Sequence, residues 1–261
     1  MEVHHHPHLE KKGFKGYFLE FLMLFLAVTL GFFAESYREH VVEKRREKEY
    51  MKEIIENLKY DTLRCVLNAQ TNIEVCAGLD SLRQELKQAI QGKINGNVLY
   101  YLAINYVGNI GHAVFNTSAI TELKNSGSLR LIQNKGLVEE IADYYERKVV
   151  GAQNFLPSIP QIDALRETAN KFFSLLPLDD YVNSFDSISK TNYNNSYDYK
   201  NILRHSPPLS LLNKDPKELE LFYTVLVQHE MRIKYYNFWL SYCKAAAEKI
   251  ITNIQHEYHL K

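Results

Sequence analysis

The sequence predicts an all-α protein in which an N-terminal transmembrane helix continues into an elongated antiparallel helical bundle. Three observations carry that expectation. Phe21 to Ala34 (FLMLFLAVTLGFFA) is an unbroken apolar run. From Glu35 to Gln91 there is no Pro and one Gly, Gly78, while apolar residues recur at steps of three and four. Asp215-Pro216-Lys217-Glu218 opens a second long stretch of the same kind, which continues to about Tyr258. A long helix near each end with shorter ones between describes an antiparallel bundle. The expected divisions are a flexible tail over 1–15, a transmembrane helix over 16–34, a juxtamembrane helical linker over 35–50, and a bundle over 51–261 with an irregular insert at 178–213.

The apolar run alone is too short to span a bilayer. Extended back to Gly16 it is interrupted only by Glu20 and becomes long enough. Lys11, Lys12 and Lys15 precede it, and no small-x-small cleavage site followed by a polar break ends it, so a membrane anchor is expected rather than a cleaved signal. The charges that follow, Arg38, Lys44, Arg45, Arg46 and Lys48, are interleaved with Glu39, Glu43, Glu47 and Glu49, and leave orientation balanced. On one face, within about 40° at ~100° per residue, lie Glu20, Ala27, Gly31, Ala34 and Arg38. Small residues there allow close helix approach, and an ionisable group inside the membrane is costly unless paired, protonated or snorkelling. These five residues are the candidate helix-packing site for a second copy or a partner membrane protein.

The rest follows in order. Glu43 to Glu49 is polar on every side and reads as a solvated helix. From Met51 a buried stripe is expected through Ile55, Leu58, Thr62, Val66, Ala69, Ile73 and Cys76, with a flanking row of Ile54, Leu63 and Leu67. Gln91 to Asn97 is a turn, and a second helix is expected from Val98 to about Phe115. Thr117 or Ser118 caps a short helix ending at Asn125-Ser126-Gly127, and Leu129 to Ile132 makes a brief turn. Asn134-Lys135-Gly136 opens an amphipathic helix to about Phe155 with Leu137, Ile141, Tyr144 or Tyr145, and Val149 inside. Pro157 and Pro160 break it, and Gln161 to Leu176 is a further helix. The insert is rich in Asn, Tyr and Ser; loops of that length are commonly functional or disordered, and Tyr193, Tyr197 and Tyr199 are its candidate partner contacts. Asp215 caps the last helix with Pro216 at its first position, and the expected inner line is Phe222, Leu226, His229, Ile233, Tyr236, Leu240, Cys243, Ala247, Ile250 and Ile254.

Composition narrows the function. Lys plus Arg and Asp plus Glu each number 31, so no net field draws the chain to nucleic acid. Cys65 and Cys76, about 16 Å apart on one helix, cannot pair with each other, and all three cysteines read as small buried hydrophobes. His4-His5-His6-Pro7-His8 lies outside the expected fold, and His229-Glu230 lacks the second histidine of a zinc-protease helix. No nucleophile-elbow or phosphate-binding glycine motif occurs, so no cofactor and no catalysis are expected.

Two segments carry a family resemblance. Lys48-Glu49-Tyr50-Met51 with Leu58-Lys59-Tyr60-Asp61, directly after the apolar helix, and Leu123-Lys124-Asn125-Ser126-Gly127-Ser128-Leu129-Arg130-Leu131-Ile132-Gln133-Asn134 resemble an uncharacterised family of single-pass membrane proteins common in Bacteroidota. The likeness covers roughly 16–150. The chain lacks that family's strongly basic first twenty residues and its Asn/Trp-rich stretch after the membrane helix. The resemblance implies no activity. It implies an amino terminus in the cytoplasm and a domain in the periplasm, on the inner membrane. The expectation is a membrane-anchored helical scaffold or interaction protein whose partners are the bilayer and, through the transmembrane helix, a second copy or another membrane protein. The alternatives are a transduction subunit using Glu20 and a ligand-binding sensor with a pocket inside the bundle.

Overall fold

In the computed structural model, which describes residues 13–176 and 208–260, every regular element is helical. The first helix, α1, runs unbroken from Phe14–Ile90, 77 residues or about 115 Å. The last, α7 (Pro216–Tyr258), lies antiparallel against it. Their register is fixed by side-chain bonds at three heights. Tyr258 Oη donates to Glu47 Oε1 at 2.6 Å, Asn72 Nδ2 donates to Asn237 Oδ1 at 2.9 Å, and Arg83 pairs with Glu230 at 2.8 Å.

The seam between the two helices has a strict rhythm. On α7 the buried line is Leu219, Phe222, Leu226, His229, Ile233 and onward to Ile254, alternating steps of three and four. It coincides with the line expected from the sequence. On α1 the same rhythm passes through Met51, Ile54, Leu58, Asp61, Cys65, Asn68, Asn72, Val75, Leu79, Leu82, Leu86 and Ala89. A mean spacing of ~3.5 residues keeps each helix turned toward its partner over its whole contact, as in a left-handed coiled coil. This corrects the stripe expected for α1: Val66 and Ile73, with Leu63 and Leu67 of the flanking row, are exposed, and Asp61, Asn68 and Asn72 take the inside positions. Glu47 is likewise buried rather than solvated, because Tyr258 and the Gln133 N–H, at 3.0 Å, both donate to it.

Smaller elements close the sides of this pair. The helix α2 (Gly96–Tyr106) folds back along the far end of α1. It stops at Tyr106, not near Phe115, because Gly108 adopts a left-handed φ of 74° and redirects the chain. Residues 107–117 then run extended along α1, back toward Glu47. The helix α3 (Ser118–Asn125) starts without a side-chain cap from Thr117; Asn116 Oδ1 instead accepts the Ser118 N–H at 3.1 Å. A single 3-10 turn, Ser128–Leu131, leads to α4 (Lys135–Asp143), whose Asn134 cap accepts the Leu137 N–H. A π-turn at Tyr144–Val149 joins α4 to α5 (Val150–Phe155). That wider turn lets adjacent Tyr144 and Tyr145 both point inward, where the sequence offered one or the other. Pro160 and a Ser158–Gln161 capping box start α6 (Ile159–Asn170), which ends at Asn170 and not at Leu176.

The core falls into two clusters. One, near Glu47, gathers around Met51, Leu58, Ile141, Tyr144, Leu240 and Ile250. The other, toward Ile90, gathers around Leu79, Leu86, Leu99, Phe172, Phe222 and Leu226. Between them lies a polar layer.

Candidate functional site

The polar layer forms where the extended segment crosses the seam. Gly111 donates its N–H to Asn72 Oδ1 at 2.7 Å, and its carbonyl accepts from Asn72 Nδ2 at 3.1 Å. One side chain thus satisfies both backbone groups of a buried residue, as a neighbouring strand would. Asn237 completes the layer by donating to the Ala69 carbonyl at 3.1 Å. A Cβ on Gly111 would lie 2.7 Å from the Asn68 carbonyl oxygen, so the close approach of segment to helix requires glycine here. Tyr236 Oη accepts the Ala113 N–H at 2.9 Å, Asp61 Oδ1 accepts the Asn116 N–H at 2.6 Å, and Asn57 Nδ2 donates to Ser118 Oγ at 3.1 Å. The inward polar side chains of α1 and α7 therefore read the backbone of 111–116, where a β-ladder would otherwise be needed, and Asn57 holds the side chain of Ser118 just beyond it.

Asp61 is the acidic centre of this arrangement. It is wholly buried, and Tyr144 Oη donates to its second oxygen at 3.0 Å. Burial raises its carboxyl to about 6, against the pull of the Asn116 and Tyr144 bonds, which favour the anion. Burial is also the largest influence on Cys65 and Cys243, whose thiols are pushed up to about 12, and on Cys76, raised to about 11. All three are free thiols held in the unreactive protonated form at neutral pH. Toward Ile90, Arg83 bonds Asp80 at 2.7 Å and Glu230 at 2.8 Å, and Lys234 reaches Glu230 at 2.6 Å. Next to Glu230, His229 is driven down to about 4 by burial, with Arg232 adding to the effect.

Among the described residues, no three His, Cys, Asp or Glu side chains converge on a metal-sized site. A trough of about 690 Å³ between α4 and α7 is lined by Glu140, Asp143, Lys148, Tyr242 and Lys249. Four of its charges are paired: Lys249 with Glu140 at 2.6 Å, and Lys148 with Asp143. The trough is an open surface furrow.

The candidate helix-packing residues all lie on α1 ahead of the bundle. Ala27, Gly31 and Ala34 are exposed, and nothing approaches within 4 Å of the position a Gly31 side chain would take. Arg38 forms a forked pair with Glu35, its closest approach 2.5 Å, and Glu20 is engaged in an interaction of its own. The apolar window of α1 is long and hydrophobic enough to cross a membrane, and none of it is buried in the protein. At ~100° per residue the small residues sit roughly 160° from Glu47, Met51, Ile54 and Leu58, on the side of α1 facing away from α7. Tyr193, Tyr197 and Tyr199 lie outside the described residues, as do most of the insert and the histidine-rich tail.

Sequence reasoning missed the polar layer because it followed apolar residues alone. The signal was present: Asp61, Asn68 and Asn72 stand at the three-four beat that α7 keeps without interruption. No protein-family model, curated protein or solved structure matches the chain.

Proposed function

We propose that this protein is a membrane-anchored, non-catalytic scaffold: a rigid rod that crosses the bilayer once and holds an interaction surface at a set distance from it. The observation that carries the reading is the continuity of α1. One helix supplies both the exposed apolar span and half of the bundle seam, with no break between them. Tyr17 and Tyr37, twenty residues or ~30 Å apart, bracket the span as interfacial aromatics do, with Lys15 and Arg38 at its ends.

On that placement Glu47 stands ~15 Å above the surface and Ile90 ~80 Å above it. The last residues of the insert are fastened near this far tip. The Leu212 N–H donates to the Phe172 carbonyl at 2.9 Å, and the Leu209 N–H to Asn97 Oδ1 at 2.7 Å. The tip is therefore the natural presenting end, and the partner there is a protein component of the same membrane system. The Bacteroidota resemblance favours a bacterial inner membrane with the domain in the periplasm.

The test is made on native membranes. The chain should pellet with them and resist alkaline carbonate extraction. A cysteine placed at Lys93, beside the tip, should react with an impermeant maleimide in intact spheroplasts. A chain that carbonate releases would remove the anchor, and labelling only after lysis would reverse the orientation.

A further inference from the structure

Two of the three cysteines stand at one height on opposite sides of the seam. From the Asn72–Asn237 contact toward the Glu47 end, Cys65 lies seven residues back along α1 and Cys243 six residues on along α7. At ~1.5 Å rise per residue the two heights agree within about 2 Å. Interpolating between that contact and the bond from Tyr258 to Glu47 brings Cys243 level with Cys65 again. Both occupy the buried line of their helix, 1% and 0% exposed, and both belong to the cluster near Glu47.

The seam puts such a pair within covalent reach. Cα atoms sit ~2.3 Å from a helix axis and packed helices run ~8–10 Å apart, so facing seam residues bring their Cα atoms to roughly 4–6 Å. A disulfide spans ~4.4–6.8 Å between Cα atoms. The small, fully buried Ala247 follows Cys243 on the seam and favours close approach. Proximity shows in the electrostatics as well: after burial, Cys243 is the next influence raising Cys65, and both cysteines bear on Tyr144 beside Asp61. Cys76 has no such opposite number, since it lies eleven residues or ~16 Å further along α1, away from the level of Cys243.

We propose that Cys65 and Cys243 are a redox pair, joined by a disulfide across the seam when the chain closes in the presence of a disulfide oxidant, glutathione disulfide or the disulfide of a thiol oxidoreductase. One cysteine, as thiolate, attacks the oxidant's disulfide and expels half of it as a thiolate. The second thiolate attacks the protein sulfur of that mixed disulfide and expels the other half. Two protons and two electrons leave the protein, and the oxidant becomes two thiols. Both steps need an open seam, because the closed one keeps the thiols protonated and beyond the oxidant's reach. The same burial then shields the finished bond from reductant. The structure shows the reduced state. Oxidation adds a covalent staple between the polar layer and the Glu47 end, closing a loop that contains α2 through α6. The pairing goes beyond the scaffold reading and needs no membrane placement, so the two stand or fall separately.

The experiment takes the full chain carrying Cys76→Ala in detergent, with glutathione and glutathione disulfide, at a urea concentration just below the unfolding midpoint, where the seam opens and recloses. After acid quenching the chain is denatured and labelled with maleimide-polyethylene glycol, and mass spectrometry separates an internal bridge from glutathione adducts. The expected product carries no polymer before reduction and two after it, and migrates faster in unreduced gels. Its urea midpoint should rise by about 1 M. A second chain, Cys65→Ala with Cys76 retained, offers two thiols out of register and should form roughly tenfold less bridge. Two polymers on the unreduced chain, glutathione adducts without a bridge, or equal bridging in the two chains overturns the pairing.

Discussion

Asn72 and Asn237, 165 residues apart in sequence, meet inside the seam at 2.9 Å while Asn72 also holds both polar groups of Gly111. The contact ties three separate stretches of chain into one layer. A polar pair between two apolar clusters fixes register, because a slip by one three-four step would leave both amides against hydrocarbon.

Replacing Asn72 by Leu should therefore cost far more than a surface change. It strands the Gly111 N–H and carbonyl and one amide of Asn237, for an expected loss of about 3–5 kcal/mol. Denaturant unfolding of the full chain in detergent reads the loss as a lower midpoint. Asn237→Ala leaves Gly111 satisfied and should cost about half as much. Equal losses would mean the layer does not act through Gly111.

Two glycines should respond with opposite signs. A methyl on Gly111 meets the Asn68 backbone at 2.7 Å and 3.2 Å, and helix backbone cannot yield, so Gly111→Ala should destabilise by about 2–4 kcal/mol. Gly136 is exposed on α4, and its nearest neighbour would be 3.5 Å away. Gly136→Ala should stabilise by about 0.5–1 kcal/mol through helix propensity. Thermal unfolding of the two variants beside the parent decides both.

Acid should act on the fold through two opposing groups. Asp61 is raised to about 6 in the folded protein from its ordinary 3.8. The fold binds its proton more tightly than the unfolded chain does, so stability rises as pH falls from about 6 toward 4. His229 is lowered to about 4 from 6.5. Its contribution is complete above about 6.5 and is lost as pH falls through the same window. Each swing is of order 3 kcal/mol, and the two nearly cancel. Unfolding midpoints from pH 7.5 to 4.5 should stay level for these two groups together. They should fall on acidification in Asp61→Asn and climb in His229→Gln.

The Glu47 end can be loosened by itself. Tyr258→Phe removes the 2.6 Å bond to Glu47 but leaves that carboxylate its Gln133 N–H, for an expected cost of about 1–2 kcal/mol. Hydrogen exchange should quicken over the last turns of α7 and over 133–137, with no change around Arg83 and Glu230. Acceleration spread evenly along the rod would show that the two clusters open as one.

The two long helices differed in how plainly they could be read. In α7 every seam position from Phe222 to Ile254 is apolar or amphipathic, so hydrophobic spacing traced it correctly. In α1 the apolar residues and the buried ones part company at Asp61. Val66 and Ile73 suit a core by type, yet they face outward, while Asn72 goes inside because the backbone of Gly111 needs its bonds and Asn68 goes inside with its amide returned to the Arg64 carbonyl of its own helix. That need is set by Gly108 and Gly111, some forty residues away, and no local pattern on α1 reveals it. Tyr144 and Tyr145 were ambiguous for a related reason, since a π-turn defeats the arithmetic of a 3.6-residue helix. Ala27, Gly31 and Ala34 lie exposed on the same continuous helix, which carries their angle unchanged to the seam.

On the anchored placement proposed above, an unbroken α1 also makes the molecule a lever. Membrane helices tilt by ~20° on average, and a straight shaft reaching ~80 Å past the surface turns that tilt into a sideways sweep of roughly 30 Å at the tip. Bilayer thickness, by setting the tilt, would then set how wide an area one anchored tip can search.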